Sequence, residues 1–284
     1  PFRPMTTGAI LQAINGTSLA ALLFLLASGF TLTFGLMRVV NMAHGAYYLL
    51  GGYIGLSLAE RTGSFAVAVV GGGASIVVLG YLLDRFLIRH TGDNHLAQVL
   101  LTVGVAFIIG DVALAIWGGD ALKVPVPPFL RGALELPGGL VYPTYRFALI
   151  LFGVFVGAVL WVLYRKTQIG AVVRAGVDDR EQVSATGINV DRLFVLVSAL
   201  SSFLAAMAGV VGGAFHALYP GAEWQIQVVP QVAGADLFHE GGMHRQGGFR
   251  FAQSGQGAFG QFVGVGIVDD DIQQLHLTPR RRHM

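Results

Sequence analysis

The sequence predicts an all-α protein: a polytopic bundle of about six transmembrane helices, followed by a poorly ordered C-terminal tail. Of its residues 54% are hydrophobic and only 12% are charged, about half the charge of a typical soluble domain. The apolar residues are gathered into runs near the length of about 20 residues that crosses a hydrocarbon core. Many of the 40 glycines lie inside these runs, where small residues let transmembrane helices approach closely.

Composition also excludes several classes of function. The net charge is only +2, and no basic cluster with interleaved aromatic residues appears, which argues against a nucleic-acid partner. Cysteine is absent, so the chain has no disulfide and no thiolate metal site. We expect no cofactor and no bound metal.

Six apolar spans are predicted, in chain order, at residues 17–36, 45–59, 64–83, 96–117, 147–164 and 193–215. The second span is too short for a full crossing and directly follows a group of polar residues. A discontinuous or partly re-entrant helix explains both observations.

Glycine patterns inside the spans predict close helix packing. Residues 71–73 are three consecutive glycines, but no Gly-Lys-Ser/Thr sequence follows, so a phosphate-binding loop is excluded. Gly153-x3-Gly157 and Gly209-x3-Gly213 have the small-residue spacing found where two membrane helices touch.

Residues 118–143 differ from the spans in composition. Five prolines and several glycines without a periodic apolar run predict an extramembrane loop. Trp117, Tyr142 and Tyr145 flank or lie within it and are candidate anchors at the membrane interface.

The most informative stretch is the polar sequence between the first two spans, which contains Asn41, His44 and Gly45. It could be a tight cytoplasmic turn in which Asn41 and His44 cap helix ends. Polar groups at membrane depth are costly, however, and are kept where they line a pathway. By the same argument Asp111, inside the fourth span, is a candidate pathway residue, although water near the helix end could also satisfy it.

These residues also carry a family resemblance. The sequence resembles the LIV-type permeases, membrane subunits of bacterial ABC importers for branched-chain amino acids, over about residues 8–225. The matching pattern is Gly29-x5-Gly35-x5-Asn41-x2-His44-Gly45, followed by Gly51-Gly52-Tyr53. The resemblance implies a transport subunit in which Asn41, His44 and Gly45 belong to the pathway or its gate.

Residues 165–192 form the longest polar stretch between spans. From charge pattern alone it reads as a solvated helix that ends near Gly187. The resemblance implies instead a coupling segment that docks on an ATPase subunit. Its matching residues are Gly170, Arg174, Ala175, Asp178, Ala185 and Gly187.

Charge asymmetry predicts the orientation. Alternate connections carry eight basic residues on one side and four on the other, so the eight-residue side, with residues 41–45 and 165–192, faces the cytoplasm. The chain has no Walker motif, so it is not expected to be an enzyme. The resemblance implies cytoplasmic ABC ATPase subunits, a second homologous permease chain, a periplasmic or lipid-anchored binding protein and the lipid of a bacterial inner membrane as partners.

Two other functions remain open from the residues. A permease of the same type could carry urea or short amides, because nothing in the sequence of the spans distinguishes a permease for these solutes from one for amino acids. An intramembrane enzyme could pair His44 with Asp111 or Asp84, but these residues have no recognisable catalytic spacing.

The C-terminal tail departs from the permease pattern. Residues 1–225 form the predicted transmembrane domain, whereas residues 226–284 contain no stretch long and apolar enough to span a membrane. Glutamine occurs four times in residues 1–224 and nine times in the last sixty. We interpret residues 226–284 as the product of a reading-frame shift and expect them to be disordered.

Overall fold

The computed structural model describes residues 7–37, 41–92, 94–136, 140–178, 183, 187, 189–222 and 224. The helices are α1 Thr7–Met37, α2 His44–Thr62, α3 Phe65–Phe86, α4 His95–Trp117, α5 Thr144–Lys166, α6 Gln168–Asp178 and α7 Val190–Phe215. Two short strands are β1 Ala133–Leu136 and β2 Leu140–Pro143, and two 3-10 turns are Ile88–Thr91 and Pro128–Leu130. The predicted tail lies outside the described residues.

Five of these helices, α1, α3, α4, α5 and α7, are long and apolar enough to cross a membrane. This confirms a polytopic transmembrane helix bundle. Helix α2 does not reach that apolarity, in agreement with the weak second span. It is nevertheless one continuous helix of 19 residues, and the irregular backbone lies before it.

Helix α2 forms the centre of the bundle together with α3 and α7. Glycines allow the three backbones to touch: a Cβ added at Gly51 would lie 2.5 Å from the Cα of Ala206, and one at Gly72 would lie 2.9 Å from the Gly51 carbonyl oxygen. A Cβ at Gly209 would collide with the Tyr48 carbonyl oxygen. The glycine runs therefore serve helix packing, as predicted.

Helices α4 and α5 flank this centre, α4 against α2 and α5 against α1. The Gly153-x3-Gly157 pattern of α5 faces α1, where Gly153 approaches Ala21 and Gly157 approaches Phe24. Large apolar side chains on the opposite faces, such as Leu100 and Val154, are exposed. These faces have the composition that contacts lipid.

The connection between α4 and α5 contains more regular structure than predicted. Strands β1 and β2 pair antiparallel, with Ala133 opposite Pro143 and Leu136 opposite Leu140. A further bridge joins Leu122 to Leu218 beyond the end of α7. The alternation of apolar residues in two four-residue strands is too short to stand out among prolines and glycines.

The expectation that Tyr142 and Tyr145 anchor the membrane interface is wrong. Both side chains are buried: the Tyr142 hydroxyl lies 2.7 Å from Ser18 Oγ, and the Tyr145 hydroxyl donates to the Val211 carbonyl oxygen at 2.7 Å. Trp117 is half-buried and its indole N–H donates to Ser57 Oγ at 2.9 Å. The Tyr142 hydroxyl thus joins β2 to α1, and the Tyr145 hydroxyl and the Trp117 indole join helices to each other.

Candidate functional site

Asn41 shapes the turn that leads into α2. Its side-chain Oδ1 accepts a hydrogen bond from the Ala43 N–H at 3.0 Å, and its carbonyl oxygen accepts from the His44 N–H at 3.2 Å. An Asn side chain that bonds its own backbone two residues on is a stable turn-former. Because Asn41 is buried, water does not easily replace these bonds.

Helix α4 supplies a further hydrogen bond to this turn. The Met42 N–H donates to Thr102 Oγ1 at 3.1 Å, while the Thr102 hydroxyl donates to the carbonyl oxygen of Gln98 at 2.8 Å. Thr102 and Gln98 are buried and lie four residues apart, on one helix face. Sequence reasoning missed both, although two polar residues at this spacing in an apolar span were an available signal.

His44, the first residue of α2, joins that helix to α1. Its imidazole Nε2–H donates to the Leu26 carbonyl oxygen at 3.1 Å, which fixes the tautomer. The Phe30 ring meets the imidazole edge-on, with ring centroids 5.9 Å apart. The described residues contain no group of three metal-ligating side chains, and the geometry assigns His44 a hydrogen-bonding role.

Gly29 allows α1 to approach α2 and α7 closely. A Cβ at this position would lie 2.8 Å from the Ser201 carbonyl oxygen of α7 and 3.1 Å from His44 Cε1. A larger residue would push α1 away from both partners. Gly45 follows His44 and is buried in the first turn of α2, so three residues of the resemblance pattern, Gly29, His44 and Gly45, meet at this junction.

Tyr47 extends the junction toward α3. Its side chain is buried and lies near the Asn41 side chain, and its Cε2 would lie 3.8 Å from a Cβ added at Gly80 of α3. The turn at residues 41–44 is therefore tied to α1, α3 and α4 at once.

Asp111 does not join this junction. Its residue is exposed on α4, nine residues beyond Thr102 and so about 13 Å further along the helix axis. The structure thus separates it from Asn41, His44 and Gly45. Its predicted role in transport stays a prediction.

The geometry gives no support to an acid/base pair. The His44 imidazole donates to a main-chain carbonyl, and the buried Asp84 carboxylate lies 3.6 Å from the Arg89 Nε. In the part of the chain that is described, neither carboxylate considered for catalysis is hydrogen-bonded to His44.

The predicted coupling segment contains α6, which follows α5 after a sharp turn at Thr167. The Thr167 hydroxyl oxygen accepts from the Gly170 N–H at 3.1 Å and its hydroxyl donates to the Leu163 carbonyl oxygen at 2.5 Å. Gly170 is buried because it packs against the carbonyl oxygens of Leu163 and Tyr164. Its role here is to allow the turn.

Arg174 is turned back onto α5. Its guanidinium lies 5.1 Å from the centroid of the Tyr164 ring and donates to the Tyr164 carbonyl oxygen. Ala175, in contrast, is exposed. Of the other predicted coupling residues, Asp178 ends α6, Gly187 lies in an exposed turn with φ +83°, and Ala185 lies outside the described residues.

Helix α6 has one packed face and one open face. Val173 is buried in a small apolar cluster with Leu193, Phe194 and Val197 of α7. Gln168, Ala171 and Ala175 are exposed on the other face. We call these three residues the α6 outer face; it is small and nearly uncharged.

Comparison with known proteins extends the match along most of the chain. The family described as "Branched-chain amino acid transport system / permease component" matches residues 12–230. The permease protein BraD of Pseudomonas aeruginosa is 25% identical over 218 residues, 71% of this chain and 70% of that protein. LivH of Escherichia coli K12 is 26% identical over 220 residues, 72% of this chain and 70% of that protein.

A third relative matches over a somewhat shorter stretch. The probable branched-chain amino acid transport permease protein LivH of Methanocaldococcus jannaschii is 29% identical over 203 residues, 68% of this chain and 61% of that protein. No solved structure matches the chain.

Proposed function

The chain belongs to the branched-chain amino acid transport permease family, and we propose on this premise that it forms part of the pathway of an ABC importer for branched-chain amino acids. It works in the bacterial inner membrane beside a second homologous permease chain. A periplasmic or lipid-anchored binding protein delivers the substrate. ATP is hydrolysed on separate cytoplasmic subunits.

The observation that carries this proposal, beyond family membership, is the position of α6. A transport subunit that does not hydrolyse ATP itself needs a surface that the ATPase subunit can bind. That surface must also pack directly on the membrane-spanning helices. Helix α6 packs on α5 through Gly170 and Arg174 and on α7 through Val173, while its outer face stays open. This arrangement suits an ATPase docking helix.

The mechanism follows from these connections. Closure of the ATPase subunits moves α6, and α6 transmits the movement to α7 and α1, which it also contacts. The Asn41–His44 turn is hydrogen-bonded to α1 and α4, so it responds to the same movement. ATP drives transport only if each nucleotide state favours one conformer of the bundle.

Uptake measurements test the proposal. The chain is expressed in bacteria lacking their own branched-chain uptake systems, together with the ATPases, second permease and binding protein encoded beside it. We expect ATP-dependent uptake of labelled leucine, isoleucine and valine. Uptake of urea or acetamide in place of leucine would show the alternative substrate class, and no uptake of either would contradict the proposal.

A further inference from the structure

A shallow basic pocket lies between the end of α3 and the start of α7. It has a volume of about 340 Å³ and is lined by Tyr81, Arg85, Arg89, Asn189, Arg192 and Val195. We call it the arginine pocket. Neither the transport pathway nor the α6 outer face includes these residues.

Among the side chains that the structure describes, the charges around this pocket are unbalanced. One of the three guanidiniums, that of Arg89, lies 3.6 Å from the Asp84 carboxylate. Neither Arg85 nor Arg192 forms an ion pair with a carboxylate whose side chain is described. Two positive charges without a described carboxylate partner thus share a cavity that is also lined by Tyr81 and Asn189. The Asn189 Oδ1 accepts from the Arg192 N–H at 3.0 Å, so the two guanidiniums are the main groups suited to a phosphate.

The surroundings of the pocket are apolar and exposed. Along α3, Val78, Leu82 and Phe86 are exposed, and along α7 Leu196 is exposed beside Val195. Val78 and Leu82 precede Arg85 on α3, and Leu196 follows Arg192 on α7, so these exposed residues lie on the side of the pocket toward the middle of each helix. A ligand with a phosphate at one end and apolar chains at the other fits both parts.

We propose that the arginine pocket binds the phosphate of an anionic phospholipid, with Arg85 and Arg192 contacting the headgroup and the exposed apolar residues of α3 and α7 contacting its acyl chains. The orientation predicted from charge places this end of the bundle in the cytoplasmic leaflet, where basic residues between membrane helices bind acidic headgroups. The proposal concerns lipid binding and does not depend on which solute is transported.

The test uses the purified full-length chain in dodecyl maltoside. Native mass spectrometry counts the bound lipids when phosphatidylglycerol or phosphatidylcholine is added at equal concentration, and competition with inorganic phosphate and with glycerol phosphate tests free anions. The variant is Arg85→Gln/Arg192→Gln, which leaves the Arg89–Asp84 pair intact so that the buried carboxylate keeps its partner. The matched control is Arg61→Gln, an exposed arginine in the last turn of α2.

We expect the wild type and Arg61→Gln to retain phosphatidylglycerol in preference to phosphatidylcholine, and the double variant to bind it about tenfold more weakly or worse. If the double variant does not fold, as judged by circular dichroism, Arg85→Gln alone makes the comparison because Arg85 is exposed.

Three results would overturn the proposal. They are equal retention of both lipids, unchanged phosphatidylglycerol binding in the double variant, and full displacement of the lipid by free phosphate. The third would identify a site for free anions. Failure of leucine uptake would leave this result unaffected, so the two proposals are tested separately.

Discussion

Asn41 and His44 perform different structural tasks although they are only three residues apart. Asn41 satisfies backbone groups within its own turn, whereas the His44 imidazole reaches across to the main chain of α1. One residue thus sets the shape of the break between α1 and α2, and the other sets the distance between the helices. Substitutions at the two positions should therefore fail in different ways.

Replacing Asn41 with Leu removes the acceptor for the Ala43 N–H. A buried N–H without a partner costs about 1–3 kcal/mol, so we expect lower thermal stability and a larger loss of leucine uptake than of membrane expression. Uptake kinetics and melting in detergent are measured in parallel. The control is Asn94→Ala, which removes an exposed helix cap of α4 and should lower stability by about 1 kcal/mol with uptake retained.

Unchanged leucine uptake by the Asn41→Leu variant would mean that residues 41–44 are only a turn.

Sequence reasoning identified Asn41 and His44 because polar residues interrupt two apolar runs. It could not identify Leu26 as the partner of His44 or Thr102 as the partner of Met42, because these lie 18 and 60 residues away along the chain. Such pairings follow from how the helices pack, even where a polar residue inside an apolar span is itself visible in the sequence.

Among the helices, the contact of α2 with α7 is sensitive to one methyl group. Gly209→Ala would place a Cβ against the Tyr48 carbonyl oxygen, and a backbone atom cannot move aside as a flexible side chain can. We expect a loss of about 1–3 kcal/mol, measured as a lower melting temperature in detergent. Gly104→Ala is the matched control, since nothing lies within 4 Å of that position, and it should melt no lower than the wild type.

If both glycine variants melted at the same temperature, the close packing of α2 on α7 would not limit stability.

The sequence predicted this packing from glycine spacing. It also predicted α4 to within one residue, at 96–117 against His95–Trp117. It underestimated α1, which begins ten residues earlier than expected because Asn15, Gly16 and Thr17 remain helical. Asn15 is held there by a hydrogen bond from Arg146 Nη1, 131 residues away.

Helix α6 offers a direct test of coupling. Ala175→Glu adds a carboxylate to the α6 outer face, and an unpaired charge buried in an interface costs several kcal/mol. We expect normal membrane insertion but a loss of leucine-stimulated ATP hydrolysis of about tenfold or more. Ala121→Glu, at an exposed position in the loop between α4 and α5, is the control.

If the transporter that carries Ala175→Glu retained full leucine-stimulated ATP hydrolysis, α6 would not be the docking helix. Arg174 is the less suitable position, although the resemblance pointed to it. Its guanidinium stacks on Tyr164, so a substitution would change the α5–α6 connection as well as any partner contact. Exposure, which distinguishes Ala175 from Arg174, is not readable from the sequence.

For the whole molecule, the described packing extends to Trp224, whose ring lies 5.2 Å from that of Phe107. The family match ends close by, at residue 230. We therefore expect a chain ending at residue 230 to melt within a few degrees of the full-length protein in detergent. A chain ending at residue 215 should be less stable, because it loses the buried Leu218 and its bridge to Leu122.

A clearly lower melting temperature for the chain ending at 230 would show that residues 231–284 contribute to the fold.

The proposed reading-frame shift is checked by sequencing the DNA. The neighbouring frames after the codon for residue 225 should encode an apolar segment punctuated by glycine, and the proposal is wrong if they do not.

The modest apolarity of α2 has a consequence for how the protein is made. Helix α2 is less apolar than the five helices that are long and apolar enough to cross a membrane. Most of its residues are buried inside the bundle. A translocon that sorts each nascent segment by its own hydrophobicity would not release α2 into lipid unaided. We therefore expect insertion of α2 to depend on its packing with α3 and α7, whereas the other five helices have the length and composition to cross the bilayer by themselves.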